Sequence, residues 1–217
     1  RQENIFYYLT TMNENYQQPE MPKGVEIDIV KGMYLLEDGG AGEYKLTKPL
    51  NKDARLRLLG SGTILREVRK AAEILRKEYS VAVDVWSVTS FNELRRDALA
   101  VSRENMLCPD KKPKLPFVTE KLAKQKGPII AATDYMKAYS DQIREFVPDS
   151  YRVLGTDGFG RSDSRERLRH FFEVDSKFVV LAALTDLKEL GLVDPKAILA
   201  HMKKTGIKRA KANPLHQ

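Results

Sequence analysis

Apolar residues along the chain alternate between short continuous runs and longer segments in which they recur every three or four positions. The runs Val81 to Val88 and Gly127 to Thr133 are typical of strands buried on both faces. The segments Ile64 to Leu75 and Asn92 to Met106 are predicted to be helices. Strands separated by helices need crossover connections, so the sheet should be mostly parallel with helices on both faces. The pattern therefore predicts an α/β fold, a three-layer α/β/α sandwich.

Further elements are predicted from the same pattern. Three more strands are expected, at Ile27 to Leu36, Arg55 to Leu59 and Tyr151 to Leu154. A third helix should end at Pro148, because proline cannot continue the helical hydrogen-bond ladder. Its apolar stripe consists of Met136, Tyr139, Ile143, Phe146 and Val147. Start signals for helices in the last third of the chain are Asp163 with Glu166, Asp175, and Asp194 before Pro195.

The N-terminal part of the chain resembles the end of a preceding domain. Residues 1–16 contain the β-prone run Ile5 to Leu9, which has too little chain before it to supply neighbouring strands. Two prolines and a glycine then disfavour regular structure in residues 17–25, which we expect to be a linker. We therefore predict a C-terminal fragment that consists of the last strand and turn of one domain, the linker, and a complete domain over residues 26–217.

Composition narrows the class of protein. Hydrophobic residues make up 42% of the 217 residues and charged residues 31%, which is typical of globular proteins rather than disordered or collagenous ones. No apolar run reaches the ~20 residues of a membrane-spanning helix, and the first residues are polar where a signal peptide needs an apolar core. The single cysteine, Cys108, excludes an internal disulfide and a multi-cysteine zinc cluster. Together these features predict a cytoplasmic protein.

The formal charge of +7 raises the question of nucleic acid, whose phosphates favour clustered lysine and arginine. The basic residues do cluster, in a proline-containing loop and in the C-terminal tail. They are Lys111, Lys112 and Lys114 in the loop, and Lys203, Lys204, Lys208, Arg209 and Lys211 in the tail. No interleaved aromatic residues form a stacking platform in the loop. The pattern favours a solvated surface over a nucleic-acid site.

Two glycine-containing segments are candidates for anion binding. Gly60 to Thr63 leads from a strand into a helix, where free backbone N–H groups bind anions in other proteins. It lacks the third glycine of the dinucleotide fingerprint and the lysine of a P-loop, which favours a tight structural turn. The segment Gly155 to Arg165 follows the last strand, at the edge where open α/β sheets bind ligands.

Within Gly155 to Arg165, three charged residues are candidates for an interface or an anion contact: Asp157, Arg161 and Arg165. The alternative is structural. The glycines permit a turn, Asp163 caps the following helix, and the arginines pair with acidic groups of a neighbouring domain or subunit. No nucleophile and base lie side by side in this segment, which favours the structural interpretation.

The histidines and the cysteine do not complete an active site. His170, His201 and His216 have no metal-ligand partner three or four positions away, so a zinc or di-iron site is unsupported. We expect them to have packing or surface roles. Cys108 lies in a loop before Pro109 and has no histidine near it in the sequence, so we expect an inert thiol.

Five segments, in order, are similar to those of a known family. They are YYLTTMNENYQQPEMP from Tyr7, LLGSGTILREVRKAAEIL from Leu58, DVWSVTSFNELRRDAL from Asp84, AATDYMKAYSDQIREFVP from Ala131 and YRVLGTDGFGRSDSRERLRHFFEVD from Tyr151. Together they resemble the C-terminal region of the homodimeric bacterial pyruvate dehydrogenases, which are transketolase-like enzymes. The resemblance covers nearly the whole chain.

The resemblance implies an enzyme of three α/β domains that binds thiamine diphosphate and Mg²⁺ between the first two domains. This chain would be the third, transketolase C-terminal-like domain. The intact enzyme would decarboxylate pyruvate and reductively acetylate the lipoyl group of dihydrolipoyl acetyltransferase. The family's Gly-Asp-Gly signature and its paired asparagines are absent from this sequence, where Thr156 precedes Asp157. We therefore expect no catalytic, cofactor or metal-binding residue in this chain, and no activity of the chain alone.

The implied role is structural, as a domain that supports a homodimer. Its implied partners are the preceding catalytic domains, the second subunit and the dihydrolipoyl acetyltransferase core, with no nucleic acid and no membrane. The family also implies that the turn in residues 1–16 faces the substrate entrance, which makes Asn13, Glu14 and Asn15 candidates for lining it. The alternative is a free-standing interaction module that docks an acidic partner through Gly155 to Arg165 and the basic tail.

Overall fold

The strands form a mixed sheet. The computed structural model describes residues 3–7, 14–39 and 51–217. Its strands are β1 (Met33–Glu37), β2 (Asn51–Gly60), β3 (Val81–Val88), β4 (Ile129–Ala132) and β5 (Tyr151–Leu154). Within these ranges the strand order is β1-β3-β2-β4-β5. Only the β1–β3 pair of these strands is antiparallel, and the other three pairs are parallel. The prediction of a mostly parallel sheet is confirmed.

Helices connect and cover the strands. They are α1 (Glu26–Val30), α2 (Leu65–Tyr79), α3 (Phe91–Leu107), α4 (Phe117–Leu122), α5 (Lys137–Asp141), α6 (Arg165–Phe171), α7 (Ser176–Glu189) and α8 (Pro195–Thr205). Short 3₁₀ turns occur at Gly62–Ile64, Arg144–Phe146 and Pro214–His216. The sequence pattern missed α1 and α4, which are only five and six residues long.

Two separate hydrophobic cores lie on the two faces of the sheet. Leu58 belongs to the core that α2 and α7 cover, whereas its neighbour Leu59 belongs to the core under α3 and α4. Successive residues of a strand point to opposite faces, so one central strand supplies both cores. Both leucines are fully buried. The predicted three-layer α/β/α sandwich is confirmed.

The strand predicted at Ile27 to Leu36 is only partly correct. The segment begins with the short helix α1, and the strand starts at Met33. Glu26 and Asp28 in the first turn stabilise a helix N-terminus through its partial positive charge. The chain then turns at Gly32, which has a φ of 107°. Charge and backbone conformation, rather than apolar spacing, therefore determine this segment.

The prediction of a single third helix that ends at Pro148 is wrong. The chain forms the short helix α5 and then a separate 3₁₀ turn at Arg144–Phe146. Met136 precedes α5 in an extended conformation. The expected stripe is broken as a result, because Met136 and Tyr139 are 53% and 44% exposed while Ile143 is fully buried.

Two of the three predicted helix starts are confirmed. Asp175 accepts a hydrogen bond from the Phe178 N–H at 3.0 Å at the start of α7. Asp194 accepts one at the start of α8. Asp163 is not the cap of α6, because Ser164 is the N-cap residue and its Oγ accepts from Arg167 N–H. Asp163 lies one residue before this cap position, and its carboxylate accepts a hydrogen bond from the Ser164 N–H.

The structure describes part of the segment that we assigned to a preceding domain. Residues 3–7 form no strand, and Phe6 is 93% exposed. Residues 8–13, which include Asn13, lie outside the described residues. The assignment of residues 1–16 to a preceding domain remains a prediction.

Candidate functional site

The loops that follow three parallel strands meet at one edge of the sheet, which we call the carboxyl edge. They follow β2, β4 and β5, which pair in register up to Gly60, Ala132 and Leu154. A cavity of about 400 Å³ opens at this edge. Its lining includes Thr63, Asp134, Thr156, Arg161, Arg165 and Arg169. Gly60 to Thr63 and Gly155 to Arg165 therefore both line this cavity at the carboxyl edge, as expected for an open α/β sheet.

The turn at Gly60 to Thr63 is closed by hydrogen bonds within the fold. Ser61 Oγ donates to Thr133 Oγ1 at 2.9 Å, and Thr63 Oγ1 donates to an Asp134 carboxylate oxygen at 3.3 Å. A carboxylate beside the turn disfavours a bound anion through charge repulsion. These contacts favour the structural interpretation of this turn over a phosphate site.

The segment Gly155 to Arg165 is also tied into the fold. Asp157 accepts a hydrogen bond from the Lys137 N–H at 2.9 Å, which fixes the loop to the start of α5. A Cβ atom at Gly158 would lie 2.6 Å from the Pro214 carbonyl oxygen, so this residue must be glycine for the C-terminal tail to pack against it. The Arg161 guanidinium lies 5.6 Å from the centre of the Phe171 ring.

Glu14 is the residue that links the N-terminal segment to this edge. One of its carboxylate oxygens accepts a hydrogen bond from Arg66 on α2, and the other accepts one from Arg169 on α6, both at 2.9 Å. Arg165 Nε lies 3.7 Å from the second oxygen. We call Glu14 with Arg66, Arg165 and Arg169 the Glu14 cluster. Of the entrance candidates, Glu14 is thus held in the cluster, and Asn15 is exposed.

The sequence contained a partial signal for this cluster. Arg165 and Arg169 are four residues apart, a spacing that places two side chains on the same face of a helix. Arg169 was not among the predicted site residues, and neither was Arg66. Their contacts with Glu14 span 155 and 52 residues of sequence, and no local pattern specifies such a pairing.

Electrostatics favour the ionised form of Glu14. The hydrogen bond from Arg169 is the largest effect on the pKa of Glu14 and lowers it; burial acts in the opposite direction, and the bond from Arg66 lowers it further. The net result is a pKa below the ordinary value of about 4.3. The cluster therefore contributes stability above about pH 4.3, and the contribution is lost as the pH falls through the lowered pKa.

We expect Arg169→Gln to raise the pKa of Glu14, because this substitution removes the group that lowers it most. The measurement is the ¹³C chemical shift of the Glu14 carboxyl carbon as a function of pH. Arg167→Gln is the matched control, because Arg167 is on the same helix with a side chain that is 78% exposed. Equal Glu14 titration midpoints in the two variants would contradict the assignment of the contacts.

Two of the three histidines, His170 and His201, pack against other residues, as expected. His201 is buried, with Nε2 2.9 Å from the Lys177 carbonyl oxygen and Nδ1 3.3 Å from the Tyr79 hydroxyl. His170 Nδ1 lies 2.9 Å from the Asp175 carboxylate, next to the α7 cap. In the part of the chain that the structure describes, no three His, Cys, Asp or Glu side chains form a group that could hold a metal ion. Cys108 ends α3 and is half-buried, and its inertness remains a prediction.

Comparison with known proteins places the chain in a family. Residues 42–175 match the family model described as the transketolase-like TK C-terminal domain. The chain belongs to this family. It is 56% identical over 217 residues to the pyruvate dehydrogenase E1 component of Pseudomonas aeruginosa, and 50% identical to that of Escherichia coli K12. Each comparison covers 99% of this chain and 23% of the relative, so the chain spans about a quarter of the length of these relatives.

A solved transketolase from Leishmania mexicana is also similar to the chain, with a TM-score of 0.47 and 19% sequence identity. That comparison covers 80% of this chain and 20% of the transketolase. Among the described residues, no helix has the length and apolar character needed to cross a membrane.

The acidic groups at the carboxyl edge do not fit thiamine diphosphate with Mg²⁺, the cofactor pair implied by the resemblance. Mg²⁺ that bridges a diphosphate is held by carboxylate and amide oxygens. Of the acidic groups at the carboxyl edge, Glu14 accepts hydrogen bonds from two arginines and Asp157 accepts one from the backbone of Lys137. Asp134 accepts from the hydroxyl of Thr63. The three carboxylates described at this edge thus supply no ligand set for Mg²⁺.

Proposed function

We propose that this chain is the third, C-terminal domain of a pyruvate dehydrogenase E1 component. The observation that carries the proposal is the 56% and 50% identity to two such components over 99% of the chain. The whole enzyme would be an oxidoreductase of the cytoplasm that decarboxylates pyruvate and reductively acetylates the lipoyl group of dihydrolipoyl acetyltransferase. The decarboxylation, with thiamine diphosphate and Mg²⁺, would take place in the preceding domains.

The structure of this domain suits a supporting role. Its sheet is covered on both faces by helices and carries a core of buried side chains on each face, which makes a rigid platform. The polar groups at the carboxyl edge are mostly bonded to one another rather than arranged as a nucleophile beside a base. We propose that the domain supports the homodimer, is inactive alone, and has the preceding domains, the second subunit and the acetyltransferase core as its partners.

We propose further that residues 1–16 are the end of the middle domain and that Asn13, Glu14 and Asn15 lie near the substrate entrance. Two features support this proposal. Glu14 is fixed to the carboxyl edge, and Ile5, Phe6 and Tyr7 are exposed, as expected for a segment whose packing partners belong to another part of the protein.

A chimeric enzyme tests the proposed function. The matching residues of the Pseudomonas aeruginosa relative are replaced by this chain, and pyruvate-dependent reduction of an artificial electron acceptor is measured with thiamine diphosphate and Mg²⁺. We expect kcat/KM within about tenfold of the unaltered relative, since a supporting domain contributes no reacting group. The control is the relative truncated before the replaced residues. A folded, dimeric chimera with no more activity than the truncated control would overturn the proposal.

A further inference from the structure

Glu14 lies where the N-terminal segment crosses the carboxyl edge, and it is held from two different helices. Arg66 is on α2 and Arg169 is on α6, and each donates to a different carboxylate oxygen. A carboxylate whose two oxygens accept from separate arginines is fixed in position and in rotation. The side chain of Glu14 is only 21% exposed. This arrangement is more specific than a single surface ion pair, which contributes little.

Arg169, one of the two arginines that donate to Glu14, is itself held in place. Arg169 is 15% exposed, and its Nη1 lies 3.9 Å from the buried carboxylate of Glu67. Glu67 is fixed in turn, because its other oxygen accepts the Ser176 N–H at 3.0 Å at the start of α7. Burial alone would raise the pKa of Glu67, but hydrogen bonds from Lys70 and Ser176 lower it. The position of Glu14 is therefore set by the packed helices of the domain.

A second contact holds the same segment two residues later. The Arg66 guanidinium lies 4.5 Å from the centre of the Tyr16 ring, so one arginine contacts both Glu14 and Tyr16. Asn15 lies between these two anchored residues, with its side chain exposed. Beyond Tyr16, residues 17–24 form no helix or strand. The two contacts thus determine which way Asn15 faces.

We infer that Glu14 is a positioning residue: through Arg66 and Arg169 it fixes residues 14–16, the segment that borders the substrate entrance of the proposed enzyme. The inference builds on the proposed function. Glu14 itself does not react. Its loss leaves the reacting groups in place but lets residues 14–16 move, which weakens substrate capture more than turnover at saturating substrate.

The test compares Glu14→Gln with Glu20→Gln in the active chimera. Glu20 is a matched control because it is an exposed carboxylate in the same segment. For Glu14→Gln we expect the KM for pyruvate to rise by about tenfold, with kcat within about twofold. Glu20→Gln should change neither. The double variant Glu14→Gln/Arg169→Gln should lose no more than the worse single variant, because both substitutions remove the same contact.

Hydrogen exchange gives a second measurement on the same proteins. Backbone amides of residues 14–18 should exchange several-fold faster in Glu14→Gln than in Glu20→Gln. This readout does not need activity, so it also covers a variant that assembles poorly. Equal KM values and equal exchange rates in the two variants would overturn the positioning role while leaving the proposed function intact. An inactive but folded chimera without either substitution would overturn the proposed function, and the positioning role with it.

Discussion

Replacing Arg57 by leucine is expected to destabilise the domain by about 3–5 kcal/mol, because it leaves several backbone carbonyl groups that accept from this fully buried side chain without their hydrogen-bond donor. Arg57 is fully buried in the central strand β2. Its guanidinium donates to the carbonyl oxygens of Leu122, Gln125 and Gly127 and to the carboxylate of Asp149. One side chain therefore ties together the end of α4, the loop before β4 and Asp149, two residues before β5.

Burial lowers the pKa of Arg57, and the neighbouring Asp149 opposes this effect. A lysine at this position would keep the charge but could not reach four acceptors at once, so Arg57→Lys should recover only part of the stability. The measurement is urea-induced unfolding of the chain, followed by circular dichroism. Arg96→Leu is the control, because Arg96 is 78% exposed and its ion pair among the described residues is with Glu93 on the same helix; it should change stability by less than about 1 kcal/mol. An Arg57→Leu variant as stable as this control would contradict the account.

The second large effect is expected for Gly127→Ala, at about 3 kcal/mol or more. Gly127 has a φ of 115°, which disfavours residues with a side chain, and an added Cβ would lie 2.0 Å from the Arg55 carbonyl oxygen. Alanine must therefore push β2 and the loop before β4 apart. The same movement would disturb the hydrogen bond that Arg57 donates to Gly127.

Gly191→Ala separates backbone strain from steric contact. Gly191 also has a positive φ, 73°, but nothing lies within 4 Å of an added Cβ. We expect this variant to cost about 1–2 kcal/mol, which is the ordinary cost of a left-handed conformation for alanine. The difference between the two glycine variants, measured by the same unfolding experiment, then reports the contact with Arg55. Equal losses would show that the chain around Gly127 relaxes freely.

The central part of the fold was predictable because burial on both faces leaves an unambiguous pattern. Val81 to Val88 was predicted as a strand with the bounds that the structure has, and every residue in it is buried. The apolar pattern gave wrong predictions where charge or backbone conformation determines the structure. Gly32 and two acidic residues turn the start of Ile27 to Leu36 into a helix and a turn. At the third helix, the spacing was helical, but the helix ends at Asp141 and a separate 3₁₀ turn follows at Arg144–Phe146.

The candidate site was predictable only in part. The sequence indicated that Gly155 to Arg165 lies at the carboxyl edge, because that edge follows from the order of strands and helices. It also singled out Arg165, on the ground that arginines near a loop and a helix start contact acidic groups. The acidic partner, Glu14, is separated from Arg169 by 155 residues, and such a contact depends on the packing of the whole chain. The predicted cap of α6, Asp163, is one residue away from the observed cap, Ser164.

The central claim is that this chain supports the enzyme and does not itself bind the cofactor. The most direct test is calorimetric titration of thiamine diphosphate with Mg²⁺ into the 217-residue chain and, in parallel, into the chimera with the Pseudomonas aeruginosa relative. Circular dichroism first establishes that the chain is folded. We predict saturable binding to the chimera and none to the folded chain alone. Saturable binding to the chain at micromolar cofactor would contradict the account.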